Sequence, residues 1–226
     1  MRILFALALT IALFASCKKD NNDDTNQETP NPVTKNYFPL KIGNYWVYEQ
    51  YKIDTLGVAI STNQIDSVII TRDTVINNNT YFVLEGINYP FNGGNWGIVQ
   101  ISRDSSGYLV NQHGDILLAP NRIGDTLATR VQLIGATDTM FVLYGFMEQT
   151  PTPITVPAGT FNVIDYKIST EYYQPAPPGI TSPRYSHNMY GENVGRVLSS
   201  YFFFSSPSYY EKRLIRYHVD IVCYPT

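Results

Sequence analysis

The histidines come first in a search for chemistry, because a histidine can bind a metal or carry a proton. His113, His187 and His218 are about thirty or more residues apart, so a shared site would depend entirely on the fold. His218 and Asp220 share one predicted strand face, a spacing more typical of an exposed polar pair than of catalysis. The sequence has no nucleophile elbow, zinc-protease helix, Cys-x-x-Cys pair or phosphate-binding glycine loop. These patterns predict neither an enzyme nor a metal or other cofactor.

Aromatic side chains are the second candidates for function. The residues that could form a stacking platform for sugar rings are Tyr45, Trp46, Tyr48, Tyr51 and Trp96. The segment 201–210, YFFFSSPSYY, could instead be a hairpin tip that touches a membrane or a partner. The alternative for both groups is packing, because an aromatic-rich sheet fills its core with such rings. We name Trp46, Tyr48 and Trp96 as candidate ligand-binding residues.

Cys17 could be a core residue, half of a disulfide, a metal ligand or an attachment point. Arg2 is followed by an uncharged run, residues 3–16, that ends on Ala15 and Ser16. As a helix this run would reach about 21 Å, short of the roughly 30 Å hydrocarbon thickness of a bilayer. It therefore predicts a signal peptide, residues 1–16, that is removed on export.

The four residues FASC, 14–17, resemble a bacterial lipobox, with Phe14 where Leu is usual, a variation tolerated in the Bacteroidota. The resemblance implies cleavage before Cys17, lipidation of Cys17 and anchoring to a membrane. The acidic and amide-rich residues 18–24 resemble surface-export signals of lipoproteins from that phylum. With Cys17 lipidated, Cys223 has no partner for a disulfide within the chain, and we expect it to be a buried, inert core residue.

Composition narrows the function classes. The net charge of −3 and the lack of a basic run argue against nucleic acid as a partner. Eighteen tyrosines and eleven phenylalanines favour strands. Residues 17–36 are polar and proline-containing, and they predict a disordered tether, since the acidic spacing lacks the glycine and terminal glutamate of a calcium loop.

The elements that would position these side chains are strands joined by short turns. The clearest hairpin joins 63–76 to 80–89 through the asparagines 77–79. Segments 90–96 and 174–184 predict surface loops. In the last strand we expect one face towards the core, formed by Ile215, Tyr217, Val219, Ile221 and Cys223. The mostly exposed face would hold Lys212, Leu214, Arg216, His218 and Asp220.

Three segments, 36–51, 156–169 and 190–201, resemble a pattern in uncharacterised lipoproteins of the Bacteroidota. The shared features are Phe-Pro-Leu and Gly-Asn-x-Trp before the first strand, Ala-Gly-Thr-Phe before a central one and a glycine turn at 193–195. The resemblance implies an antiparallel meander forming a curved, partly closed sheet, a half-barrel similar to periplasmic lipoprotein carriers. These residues could also have a structural role, in which Trp46 and Phe161 close one end of the sheet.

We therefore predict one all-β domain, residues 37–226, in a lipoprotein of the cell envelope, most simply at the outer membrane and either periplasmic or surface-exposed. Its role would be binding or structural, with a glycan or peptide as ligand. This predicts that Trp46 or Trp96 is solvent-accessible. A carrier of a lipid or other hydrophobic ligand in the concave face would instead need a continuous apolar cavity. An enzyme would need titratable groups, such as two carboxylates, that only folding brings together in a cleft.

Overall fold

The computed structural model describes residues 36–150, 152–176 and 178–220. Cys17, Cys223, the predicted signal peptide and nearly all of the predicted tether lie outside these residues. The described part contains no helix long and apolar enough to span a membrane.

Fourteen strands make up the regular structure of the described residues. In chain order they are β1 Tyr45–Ile53, β2 Ala59–Ile76, β3 Asn79–Ile87, β4 Gly97–Ser105, β5 Tyr108–Asn111, β6 Ile116–Leu118, β7 Thr126–Ile134, β8 Asp138–Gln149, β9 Ile154–Val156, β10 Gly159–Phe161, β11 Val163–Tyr172, β12 Arg184–Gly191, β13 Gly195–Tyr201 and β14 Tyr209–His218. β9 and β10 form a separate two-stranded hairpin between β8 and β11.

Twelve strands of the described chain form one antiparallel sheet in the order β6-β5-β4-β3-β2-β1-β14-β13-β12-β11-β8-β7. The sheet curves into a nearly closed, barrel-like form, which confirms the predicted all-β meander. Its two edge strands, β6 and β7, approach each other, and Arg130 Nη2 on β7 lies 3.0 Å from Asp115 Oδ2 just before β6. We call the boundary between these edges the seam.

The turns at the sheet's ends follow the sequence signals. Asn77 and Asn78 form the two-residue turn of the predicted β2–β3 hairpin, both with positive φ, as a type I′ turn requires. The predicted loops 90–96 and 174–184 lie between β3 and β4 and between β11 and β12.

Successive connections alternate between the two ends of the antiparallel sheet. One end, the plugged end, receives the chain before β1, the β12–β13 turn and the β9–β10 hairpin. The other, the open end, carries the loops 54–58, 88–96, 112–115, 135–137, 173–183 and 202–208.

The predicted faces of the last strand were wrong for Lys212 and Leu214, and they were confirmed for Val219, which packs on the core, and for the exposed Arg216 and His218. Lys212 and Leu214 are buried, whereas Tyr217 is exposed. There are two physical reasons. The register of the β1–β14 pair shifts between Val47, which pairs with Arg216, and Tyr48, which pairs with Leu214. In addition, the buried Lys212 ammonium is paired with the Asp66 carboxylate. The inward face therefore changes along β14, and a single alternation of polar and apolar residues does not describe the whole strand.

Candidate functional site

The three motif segments of the sequence meet at the plugged end. Trp46 is 1% exposed, its Nε1 donates a hydrogen bond to Val194 O at 2.6 Å, and its ring stacks on Phe38 with centroids 5.5 Å apart. The β9–β10 hairpin packs on the same cluster through Val156 and Phe161. Residues from all three segments thus close one end of the sheet as a hydrophobic plug.

Tyr48 lies next to this plug and is also buried. Its hydroxyl donates a hydrogen bond to Arg196 O at 2.9 Å, and burial raises the pKa of Tyr48 to about 12. Since neither Trp46 nor Tyr48 offers its ring to the surface, both residues pack in the core, and they do not form the stacking platform that was the other possibility. Trp96 is 59% exposed, in the 88–96 loop at the open end. Of the three candidate ligand-binding residues, Trp96 alone is accessible to solvent.

The open end holds a pocket of about 240 Å³, which we call the open-end pocket. Its lining combines amide, hydroxyl and aromatic side chains from β1, β2, β13, β14 and two loops: Gln50, Thr62, Gln64, Pro90, Tyr201, Phe203 and Tyr210. The Gln50 amide donates to Gln64 Oε1 and accepts a hydrogen bond from Tyr201 Oη at 2.8 Å. This network fixes the orientation of the polar groups on the pocket wall.

Aromatic rings form the other wall. Tyr201 and Tyr210 stack with centroids 5.2 Å apart and an interplanar angle of 11°, and Phe203 meets both edge-on. The Phe91 ring packs against Tyr201 from the 88–96 loop at 5.5 Å. Phe203 and Phe91 remain largely exposed, so the rings offer apolar area to a ligand.

A buried ion pair lies beside this aromatic wall. Lys212 Nζ contacts Asp66 Oδ2 and donates to Asn88 Oδ1, and it lies 5.6 Å from the Tyr201 ring centroid. Burial lowers the pKa of Lys212, while its bond to Asp66 opposes that effect. Asp66 also accepts a hydrogen bond from Tyr89 N at 2.9 Å, so it is fully engaged and screened from solvent. The pair therefore suits a structural role better than proton transfer to a ligand.

A second concavity, of about 410 Å³, lies along the seam. We call it the seam cleft. Most of its lining is aliphatic, and the residues that line it include Ile116, Leu117, Leu127, Ala128, Leu143 and Ile168. Tyr166 and the Arg130–Asp115 pair add the polar groups.

The histidines do not converge in the described structure. His187 Nδ1 lies 2.6 Å from Asp165 Oδ2, His218 Nε2 lies 3.3 Å from Asp220 Oδ1 on the exposed surface, and His113 sits in the β5–β6 turn. Within residues 36–150, 152–176 and 178–220, no three His, Cys, Asp or Glu side chains are grouped closely enough to hold a metal ion.

Sequence reasoning missed the polar residues of the open-end pocket, although a signal was present. Gln50 follows Trp46 and Tyr48 at alternate positions of β1, so strand periodicity places it on their inward face. The partners on β2 and β13 are far away in sequence, and only the sheet order brings them to it.

Comparisons with known proteins support the fold. No protein-family model matches the chain, and neither does any curated protein sequence. A crystal structure of a chain from Bacteroides fragilis, assigned as exported and with a YmcC-like fold, superposes with a TM-score of 0.51 at 17% identity, covering 81% of this chain and 99% of that one. A structure assigned as a lipoprotein from Parabacteroides distasonis gives a TM-score of 0.48 at 16% identity, with the same coverage of each chain. The chain thus has a fold similar to the YmcC-like fold.

Proposed function

We propose that this protein is a membrane-anchored lipoprotein of the cell envelope that binds a saccharide in the open-end pocket without catalysing a reaction. The observation that carries the proposal is the pairing of an aromatic wall, Tyr201, Phe203 and Tyr210, with an amide and hydroxyl wall. The anchor is the lipid proposed on Cys17, and the similar fold of an exported protein agrees with an envelope location.

The chemistry of a sugar matches these two walls. A pyranose ring has an apolar face of C–H groups that packs on an aromatic ring, and hydroxyls at its edge that both donate and accept hydrogen bonds. The Gln64 amide and the Thr62 hydroxyl are the polar groups that the pocket offers to such hydroxyls, and the buried Gln50 amide orients them. The pocket, at about 240 Å³, is small enough for one or two sugar units of a longer chain.

Binding without catalysis is supported by the surroundings of the pocket. Glycoside hydrolysis needs two carboxyl groups that can reach the bond to be broken. The residues that line the pocket include no carboxylate, and Asp66 beside it is buried and paired with Lys212.

The test is a saccharide-binding measurement on the mature protein. Screening against an array of envelope and host glycans, followed by calorimetry on the best ligand, should identify a saccharide whose affinity falls about tenfold in Phe203→Ala and in Gln64→Ala. Trp96→Ala is the matched control, because it removes an exposed aromatic ring that does not line the pocket. Unchanged affinity in both pocket variants, or loss of affinity in the Trp96 variant alone, would reject the pocket.

The seam cleft favours a second candidate function, a carrier of a hydrophobic ligand. Its aliphatic lining and its volume of about 410 Å³ would accommodate part of an acyl chain. Native mass spectrometry of protein purified from membranes should then show a bound lipid, and Ala128→Trp, which fills the cleft, should abolish it. A lipid-free spectrum for the unaltered protein would exclude this candidate.

A further inference from the structure

Five large apolar side chains project, exposed to solvent, from loops at the open end of the described structure. They lie on four different connections of the sheet, which the alternating topology brings to the same end. The residues, with their exposed fractions, are Leu56 at 86%, Phe91 at 69%, Tyr173 at 60%, Trp96 at 59% and Phe203 at 47%. We call these five residues the apolar rim.

The loops of the rim contain almost no charge. Segments 55–58, 88–96, 135–137, 173–183 and 202–208 contain no Asp, Glu, Lys, Arg or His. The connections at the plugged end differ, since Lys41, Arg122, Asp125, Glu192 and Asp220 lie there. A surface that contacts these segments need not desolvate an ion in them, whereas Asp54 and the 112–115 loop, with His113 and Asp115, place charge elsewhere at the same end.

Polar contacts inside the loops hold the rim residues outward. Asp54 Oδ1 accepts hydrogen bonds from the backbone nitrogens of Leu56 and Val58 at 2.8 and 2.9 Å. Arg184 Nη1 donates to Ser206 O at 2.8 Å and so braces the 202–208 loop. The side chains at the tips are thus presented by ordered turns, and little conformational entropy remains to be lost when they are buried.

We propose that the open end docks on a lipid bilayer, with the apolar rim inserted into the interface between headgroups and acyl chains. Separate projecting side chains suit a soft surface that closes around each tip, whereas a protein partner usually presents one continuous complementary face. Trp, Tyr and Phe are the residues that favour the membrane interface. The proposed lipid on Cys17, 19 positions before Asn36, would keep the domain near a bilayer.

The proposal makes a specific statement about electrostatics. Because the rim loops are uncharged, docking should occur on zwitterionic phosphatidylcholine and should resist salt, unlike the binding of a basic patch to anionic lipid. Phe203 belongs to both the rim and the open-end pocket, so the two proposals are separated by Gln64→Ala, which changes the pocket alone, and by Leu56→Ser, which changes the rim alone.

Tryptophan fluorescence provides a direct readout. The chain has two tryptophans, of which Trp46 is buried in the plug and Trp96 lies in the rim. Mature protein with Cys17→Ala, which lacks the lipid, should show a blue shift of Trp96 emission on addition of phosphatidylcholine vesicles. Brominated phosphatidylcholine should quench this emission, and neither effect should change between low salt and about 0.5 M NaCl. A Trp96→Phe variant gives the background from Trp46.

Two matched double variants, one at each end of the sheet, test which end contacts the vesicle. Leu56→Ser with Phe91→Ser should weaken vesicle partitioning at least tenfold. Ile42→Ser with Val75→Ser removes two exposed apolar side chains from the plugged end and should leave partitioning unchanged. All four residues are exposed, so circular dichroism should show that both variants fold. The proposal would be overturned if vesicles caused no shift of Trp96 emission, or if the two double variants lost vesicle partitioning equally. It would also be overturned if raising the protein concentration alone shifted the emission, a result that would assign the rim to contact with a second copy of the chain.

Discussion

Gly195 is the residue at which the plug is least tolerant of change. Its φ of +96° is strained for any residue with a side chain, and a Cβ there would lie 2.8 Å from Trp46 Nε1. The indole cannot retreat, because it donates to Val194 O and is buried on all sides.

Gly195→Ala should therefore lower the free energy of unfolding by about 2–4 kcal/mol, measured by urea denaturation. Gly107→Ala is the control, because φ is +85° there but a Cβ would meet open space. It should cost only the backbone strain, about 1–2 kcal/mol. Equal losses in the two variants would show that the Trp46 contact contributes nothing.

The burial of Tyr48 makes the free energy of unfolding depend on pH in the alkaline range. Burial raises its pKa from 10.0 to about 12, so the folded protein keeps this proton when the unfolded chain would release it. The resulting stabilisation is complete below pH 10 and is lost as the pH rises towards 12, a decrease of roughly 2–3 kcal/mol.

Tyr48→Phe should remove that part of the pH dependence, although it costs about 1 kcal/mol at pH 8 through the lost bond to Arg196 O. Urea denaturation between pH 10 and 12 checks this, because the variant and the unaltered protein share Lys212 and the other titrating groups and differ only at Tyr48. Identical slopes for the variant and the unaltered protein would contradict the assignment to Tyr48.

For single residues, the sequence left burial undecided or wrong where the contacting partner is distant in the chain. Trp46 could be read as a plug or as a platform, and only its contact with Val194, 148 residues away, decides between them. Lys212 was expected to be exposed, because its buried partner Asp66 cannot be identified from local spacing. Long-range ion pairs of this kind override polarity as a guide to strand faces.

Among the elements, the β2–β3 hairpin shows how a turn sequence sets a register. Asn77 and Asn78 adopt φ of 49° and 60°, values that asparagine tolerates and glycine adopts freely. Asn78→Gly should raise the free energy of unfolding by about 0.5 kcal/mol, visible as a small increase in Tm.

Asn79→Gly is the control for this prediction. Asn79 is the first residue of β3 and pairs with Ile76, so glycine there should destabilise the hairpin. A decrease in Tm for Asn78→Gly comparable to that of the control would contradict the type I′ assignment.

The hairpins and loops were predictable because their signals are local. The asparagine turn and the proline-rich loop 174–184 were both confirmed. The separate β9–β10 hairpin was not foreseen, since Ala-Gly-Thr-Phe was read as the opening of a central strand. Its Ala158 N donates to Leu214 O, and this contact with a distant strand directs the hairpin onto the plug.

At the scale of the whole molecule, the anchor is the prediction with the simplest test. Replacing Cys17 by alanine, in a chain exported with a cleavable signal that does not direct lipidation, should make the protein extractable from membranes by alkaline carbonate, whereas the lipidated protein should resist this extraction. The β fold should be unchanged, because Cys17 lies outside the 12-stranded sheet of the described residues. Carbonate-resistant membrane retention of the variant would contradict lipid anchoring.

Sequence predicted the curved meander, whereas the position of the pockets required the three-dimensional sheet. The seam cleft exists because β6 and β7, consecutive in the chain, are the two edges of the same sheet. The open-end pocket likewise joins Gln50 on β1 to Tyr201 on β13, two strands that contact β14 from opposite sides. Neither arrangement follows from strand periodicity, which assigns faces but not neighbours.

The pairing of β1 with β14 also bears on when the chain can fold. β1 can pair with β14 only after residues 209–218 are present in the same compartment. The Trp46 indole likewise needs Val194 O, 148 residues further along the chain, as its hydrogen-bond acceptor. Contacts so distant in sequence form late and slowly. For a chain that crosses a membrane from its N-terminus, this order delays folding until translocation is almost complete. In the export proposed above, a chain whose first strand pairs with its last strand would stay unfolded until the export channel has passed nearly all of it.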